Sequence, residues 1–186
     1  MIRNFKISYL DKSDKKCIGN IEICCGLYRI TIFNYQNKLA GELSFYYKNN
    51  KAELRSIYCM QKYRGKGVGY TLIGIMESMV VKKAEAITGL FVPKNNYFDE
   101  QVFGEDPNLR INVAKFYERN GYLLVDSRTN SVIRSSYLDS VDERNVPIFL
   151  YKSTKGIEPR FEFMGDILFD KKLYDIKDEY KIKKID

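Results

Sequence analysis

The stretch Tyr58–Val81, "YCMQKYRGKGVGYTLIGIMESMVV", decides how this chain is read. Glycines stand at alternate positions, Gly65, Gly67 and Gly69, with Arg64 before them and Lys66 between the first two. Downstream, Leu72, Ile75, Met76, Met79 and Val80 recur at spacings of three and four, which predicts an amphipathic helix from Gly67 to about Lys83. Upstream, "KLAGELSFYYKNNKAELRSIYCM" reads as a hairpin turning at Lys48–Lys51. A strand therefore passes through a glycine turn into a helix. Residues without Cβ let several main-chain N–H groups converge, and a helix N-terminus adds partial positive charge. The combination suits a diphosphate, with Arg64 and Lys66 as fixed charge at its rim. Two commoner phosphate loops are excluded. No Ser or Thr follows Lys66 as a Walker loop requires, and Tyr70 stands where a dinucleotide fingerprint needs its last glycine.

Working outward, "FKISYL" is a short strand. "GNIEICCGLYRITIFNYQNK" alternates at Ile21 and Ile23 and again at Leu27, Ile30 and Ile32, with Gly26 at a bulge or turn. After the helix, "AITGLFV" reads as a strand ended by Pro93, followed by a long polar and aromatic loop to Arg110. "INVAKFYERNGYLLVD" is a short helix stopped at Asn120-Gly121 and then a strand, and "VPIFLYKS" is a further strand. From Thr154 the chain is charged and aromatic without clear period. The expected fold class is α+β: a mixed, mostly antiparallel sheet flanked by helices, with an extra C-terminal tail.

Composition narrows the chemistry. The chain has 186 residues, a formal charge of +7, four cysteines and no histidine. The charge favours an anionic ligand or partner. No aromatic-basic RNA motif accompanies it, so nucleic acid is not the expected target. Cys17, Cys24, Cys25 and Cys59 lack metal-ligand spacing, and without histidine the commonest metal ligand and general base are both missing. No metal site is expected. The N-terminus has no apolar signal segment and no run approaches a membrane span, so a reduced, cytoplasmic protein is expected. Oligomeric state is left open between monomer and homodimer.

The segment Arg64-Gly65-Lys66-Gly67-Val68-Gly69 resembles motif A of the GNAT superfamily of N-acetyltransferases: Arg or Gln, two residues, Gly, one residue, then Gly or Ala. Arg64, Gly67 and Gly69 fill the three defined positions. "NVAKFYERNGYLLVD" resembles motif B through Phe116-Tyr117 and Gly121-Tyr122. The two motifs stand in the family's order, and the resemblance covers about Lys38 to Lys152.

The resemblance implies a domain over residues 1–153, with N-terminal strands in 1–60 and a coenzyme-binding core in 57–126. Residues 154–186 would form an extension packing on it. It implies acetyl-CoA as co-substrate, its pyrophosphate held by the amides of Gly65, Lys66, Gly67, Val68, Gly69 and Tyr70, with Arg64 adding charge. A main-chain N–H near Cys59 or Met60 would polarise the thioester carbonyl, and Tyr117 would be the general acid beside the sulfur. Asn112 would contact the pantetheine or cap its helix. It lies five residues before Tyr117, where the commonest family spacing is seven.

For the base, Glu53 lies eleven residues before Arg64, close to where some family members carry a catalytic glutamate; Tyr58 and Glu42 are alternatives. Cys59 as an acyl-carrying nucleophile is the less favoured option. Family members usually place two helices between their first two strands, and Met1–Lys38 shows none. The wall of the acceptor site is therefore expected from the 93–110 loop, with Tyr97, Phe98 and Phe103, and from residues 160–186. The expected activity is direct transfer of acetyl to a primary amine, on a small molecule or a protein, in a ternary complex. A non-catalytic acyl-CoA sensor and an enzyme acting on an aminoacyl-tRNA amine are the alternatives.

Overall fold

Strand follows strand from the N-terminus, and the turns explain why. The computed structural model describes residues 2–11, 15–92, 108–140, 147–163 and 179–184. In chain order the elements are β1 (Ile2–Leu10), β2 (Lys16–Cys24), β3 (Leu27–Phe33), β4 (Leu39–Lys48), β5 (Lys51–Cys59), α1 (Val68–Val80), β6 (Ala86–Leu90), α2 (Leu109–Arg119), β7 (Leu123–Asp126), β8 (Val132–Ile133), β9 (Ile148–Ser153), β10 (Phe161–Phe163) and β11 (Glu179–Lys184). Short 3-10 turns cover Gln61–Tyr63 and Ser135–Ser140. The chain divides into two compact units, residues 1–86 with 153–186, and residues 87–152.

In the first unit, the β2–β3 connection is the pair Cys25-Gly26 and the β4–β5 connection is Asn49-Asn50, all four with positive φ. Both are two-residue hairpin turns whose twist matches the flanking strands. Antiparallel neighbours run β1-β2-β3-β4-β5, and β11 lies parallel to β1 with β10 beyond it. The strict in–out alternation of β2 and β3 sends Ile21, Ile23, Ile30 and Ile32 to one face. The face of that sheet carrying Gly41, Leu43 and Phe45 packs against α1, which buries Leu72, Ile73, Ile75, Met76, Met79 and Val80. At Gly41 there is no room for a side chain: an added Cβ would stand 2.7 Å from the Tyr58 carbonyl oxygen and 2.8 Å from a methyl of Val68.

One irregularity resets the pattern of β5. Ser44 faces Ser56 but Phe45 faces Leu54, which leaves Arg55 as the extra residue of a β-bulge. Ala52 and Leu54 point to the α1 side before the bulge, and Ile57 and Cys59 align with Leu43 and Gly41 after it. Glu42 and Tyr58, a directly opposed pair, fall on the other face.

The second unit orders its strands β6-β9-β7-β8, with β7 antiparallel to β8 and β9. Helix α2 ends at Asn120 because Gly121 takes φ +77 and its N–H bonds back to the Glu118 carbonyl, as the Asn-Gly pair predicts. Lys152 Nζ donates to the Asn120 carbonyl at 2.6 Å, and Glu118 accepts from both the amide and the hydroxyl of Ser135.

The fold class is α+β and mostly antiparallel, as the sequence led us to expect, and Met1–Lys38 holds strands rather than helices among its described residues. The tail, which shows no clear period in sequence, supplies β10 and β11. Their pairing partners are β1 and one another, contacts too remote in sequence to leave a local period. No helix of the described residues is long and apolar enough to cross a membrane.

Candidate functional site

The glycine turn joins β5 to α1, and its geometry follows from two positive φ angles. Arg64 has φ −61 and ψ 146, Gly65 has φ +72, and the Lys66 N–H donates to the Tyr63 carbonyl at 3.2 Å. This is a type II turn, which requires glycine at its third position. Gly67 is the N-cap of α1 at φ +88, ψ 0. No side chain caps the helix, and its first turn contains no acidic residue. A helix start leaves its first amides without intrahelical acceptors, and Ser, Thr or Asp usually satisfies one. Among the described residues, the amides of Gly65, Gly67, Val68, Gly69 and Tyr70 donate to no main-chain acceptor. An anion fits such a group of donors, and a phosphate oxygen fits best because the helix dipole adds to the attraction.

The Lys66 amide closes the type II turn, and its ammonium lies 5.9 Å from the centroid of the Tyr63 ring. Arg64 is anchored by Nε donating to the Cys59 carbonyl at 3.3 Å. The 3-10 turn before it is tied to the β3–β4 connection by Asn34 Nδ2 donating to the Tyr63 hydroxyl at 2.8 Å.

The two candidate main-chain donors at the end of β5 differ in what they already bond. The Met60 N–H donates to the Ala40 carbonyl at 3.0 Å and so is already committed. In an antiparallel ladder, hydrogen-bonded and non-bonded pairs alternate. With Met60 bonded to Ala40, the Cys59–Gly41 pair is non-bonded, and the Cys59 N–H points away from β4. Of the two amides expected from the sequence, that of Cys59 is the one not committed to β4.

The Cys59 thiol is half-buried and pushed up to about 11 from its ordinary 9.0; desolvation drives the rise and Arg64 opposes it. At pH 7 about one such thiol in 10⁴ is ionised, which argues against a nucleophilic role. Between pH 9 and about 11 the unfolded chain has shed this proton and the folded one has kept it. Folding stability must therefore fall with rising pH across that window and level off above it. Relative to wild type, Cys59→Ala should lose that part of the decline in pH-dependent denaturation and retain its catalytic rate.

Glu53 is not brought to the turn. It lies beside the β4–β5 connection, exposed and ion-paired with Arg55 at 2.8 Å, six residues or about 20 Å along the strand from Cys59. Glu42 lies far closer, one step along β4 from Gly41, the residue opposite Cys59, with Arg29 Nε 3.4 Å from its carboxylate. Its cross-strand partner Tyr58 donates its hydroxyl to Met60 Sδ at 3.5 Å.

In the second unit, Tyr117 is buried within an aromatic cluster. Its ring meets Phe91, Phe116 and Tyr122 edge-on, with centroids 6.3, 5.2 and 5.6 Å away. Asn112 is exposed in the interior of α2, and Asn108 occupies the N-cap position, so capping is not the role of Asn112. Tyr97, Phe98 and Phe103 lie outside the described residues, as do 164–178. Among the described residues no three His, Cys, Asp or Glu side chains gather as a metal site would need.

The profile of the acetyltransferase (GNAT) family matches residues 7–103. The chain belongs to the GNAT acetyltransferase family. Its membership rests on that match, which spans β1 through the glycine turn and α1. Solved structures similar to this GNAT protein include an N-acetyltransferase, PaiA, of Thermoplasma acidophilum in complex with coenzyme A. The two are 20% identical with a TM-score of 0.45, over 69% of this chain and 61% of that one. A GNAT-family acetyltransferase of Staphylococcus aureus Mu50 is 15% identical with a TM-score of 0.46, over 69% and 68%. An aminoglycoside 6′-N-acetyltransferase complexed with coenzyme A is 16% identical with a TM-score of 0.44, over 70% and 74%. The chain thus spans about three fifths of the Thermoplasma protein. No curated protein sequence matches it.

Proposed function

We propose that this GNAT protein transfers an acetyl group from acetyl-CoA to a primary amine by direct attack within a ternary complex. The observation that carries the proposal is the uncapped start of α1, where unpartnered amides stand beside Arg64 and Lys66. The pyrophosphate of the coenzyme is the anion such a group would hold. The Cys59 N–H, turned away from β4, is the donor that would stabilise the oxyanion, worth about 2.7–4 kcal/mol in comparable sites.

In the reaction, the amine nitrogen attacks the thioester carbonyl carbon and the carbon–sulfur bond breaks as the tetrahedral intermediate collapses. The amine proton passes to a carboxylate or through water, and the coenzyme thiolate takes a proton from Tyr117. For the carboxylate, proximity to Cys59 favours Glu42 over Glu53. Glu42→Gln should lower kcat by at least tenfold, while Glu53→Gln should change it less than twofold. The reverse ranking would return the role to Glu53.

Acetyl-CoA and a panel of primary amines, followed by mass spectrometry, tests the function directly. A product heavier by one acetyl group with release of free coenzyme supports transfer. Tight coenzyme binding without product across small amines, peptides and aminoacyl-tRNA would support a sensor instead.

A further inference from the structure

Beyond the glycine turn, one face of α1 carries a second constellation. Tyr70, Gly74, Glu77 and Ser78 lie four, seven and eight residues along from the first, which aligns them on one stripe of the helix. The segment after β9 crosses this stripe. Arg160 lays its guanidinium 3.9 Å above the centroid of the Tyr70 ring and donates from Nη2 to Glu77 Oε2 at 2.8 Å. The Phe161 N–H donates to Ser78 Oγ at 2.9 Å, and that hydroxyl donates to the Gly74 carbonyl at 2.7 Å. Gly74 is the notch that admits the crossing: an added Cβ would stand 2.9 Å from both Arg160 Nε and the Phe161 ring.

This is more than a packed tail. Glu77 is 3% exposed and Arg160 17%, so the carboxylate is buried with a cation as its partner. The same cation stacks on Tyr70, whose own amide is among the unpartnered donors of the first turn. One guanidinium thus ties the start of α1 to its third turn at the point where the diphosphate is proposed to sit.

We infer that Arg160 is a positioning residue for the coenzyme: it braces the first turn of α1 through Tyr70, so that the amide donors are preorganised for the diphosphate before it arrives. The inference rests on the proposed coenzyme site. Preorganised donors bind without a cost of ordering; donors on a frayed helix start must be fixed by the ligand. The effect therefore belongs to coenzyme affinity and not to the chemical step.

The test is the Kd of coenzyme A by calorimetry on the full chain, with KM for acetyl-CoA and kcat measured alongside. Arg160→Lys keeps a cation for the buried Glu77 but loses the flat guanidinium over Tyr70. It should raise Kd and KM severalfold at unchanged kcat. Arg160→Ala, if it folds, should raise them tenfold or more. Tyr70→Leu should match the lysine variant, and combining the two should add nothing further. Ser78→Ala, which loosens Phe161 without touching Tyr70, should lower the melting temperature while leaving Kd within twofold. Wild-type affinity in Arg160→Lys and Tyr70→Leu would overturn the inference, as would a loss in Ser78→Ala equal to theirs. No binding by the wild-type protein would overturn the coenzyme site itself and the inference with it.

Discussion

Coenzyme A at about 100 times its Kd should raise the unfolding free energy of the wild-type protein by about 2.7 kcal/mol, and Gly67→Val should erase that increment. Gly67 caps α1 at φ +88, where a β-branched residue is a steric outlier. Valine must either hold that strain, of the order of 1–2 kcal/mol, or rotate the cap back to negative φ. Rotation turns the leading amides away from a common point. Either outcome lowers basal stability, so the quantity to compare is the ligand-induced increment within each variant, not its melting temperature. Gly65→Ala calibrates the comparison. It also carries positive φ, at +72, but no atom beyond its chain neighbours lies within 4 Å of the added Cβ, and the altered residue belongs to the preceding turn. It should cost stability while keeping much of the increment. A full increment in Gly67→Val would place the phosphate site elsewhere.

Tyr117→Phe should reduce kcat by about 10²–10⁴ while leaving the KM for acetyl-CoA nearly unchanged. The split follows from two roles that one residue combines. The ring is a core group, edge-on to Phe91, Phe116 and Tyr122, and phenylalanine preserves those contacts. The hydroxyl is the proposed source of the proton for the departing thiolate. Tyr117→Ala removes both and should cost about 3–5 kcal/mol of stability besides. Undiminished turnover in Tyr117→Phe would make this tyrosine a packing residue alone and leave the thiolate to another donor.

The elements were legible where local physics decides them. Ile21, Ile23, Ile30 and Ile32 announce their strands by period, Asn49-Asn50 and Asn120-Gly121 by their tolerance of positive φ, and α1 by its apolar spacing. The glycine turn was legible too, because positive φ at Gly65 and Gly67 favours glycine. Which amides remain available was not. The Lys66 amide is spent on the turn and that of Met60 on Ala40, and both follow from hydrogen-bond registers that residue types do not encode. The Arg55 bulge is of the same kind: it sorts Glu42 and Tyr58 onto one face of the sheet and is invisible in an alternating sequence.

From residue order alone come the family, the strand–turn–helix at its centre and the absence of histidine chemistry, since each depends on neighbours a few positions apart. Tertiary structure alone decided that the Met60 amide is committed to Ala40 while that of Cys59 points away from β4, and that Arg160 reaches back 83 residues to Glu77. Those facts arise from pairing and packing between distant segments. Their free energy is settled only when the chain has closed on itself.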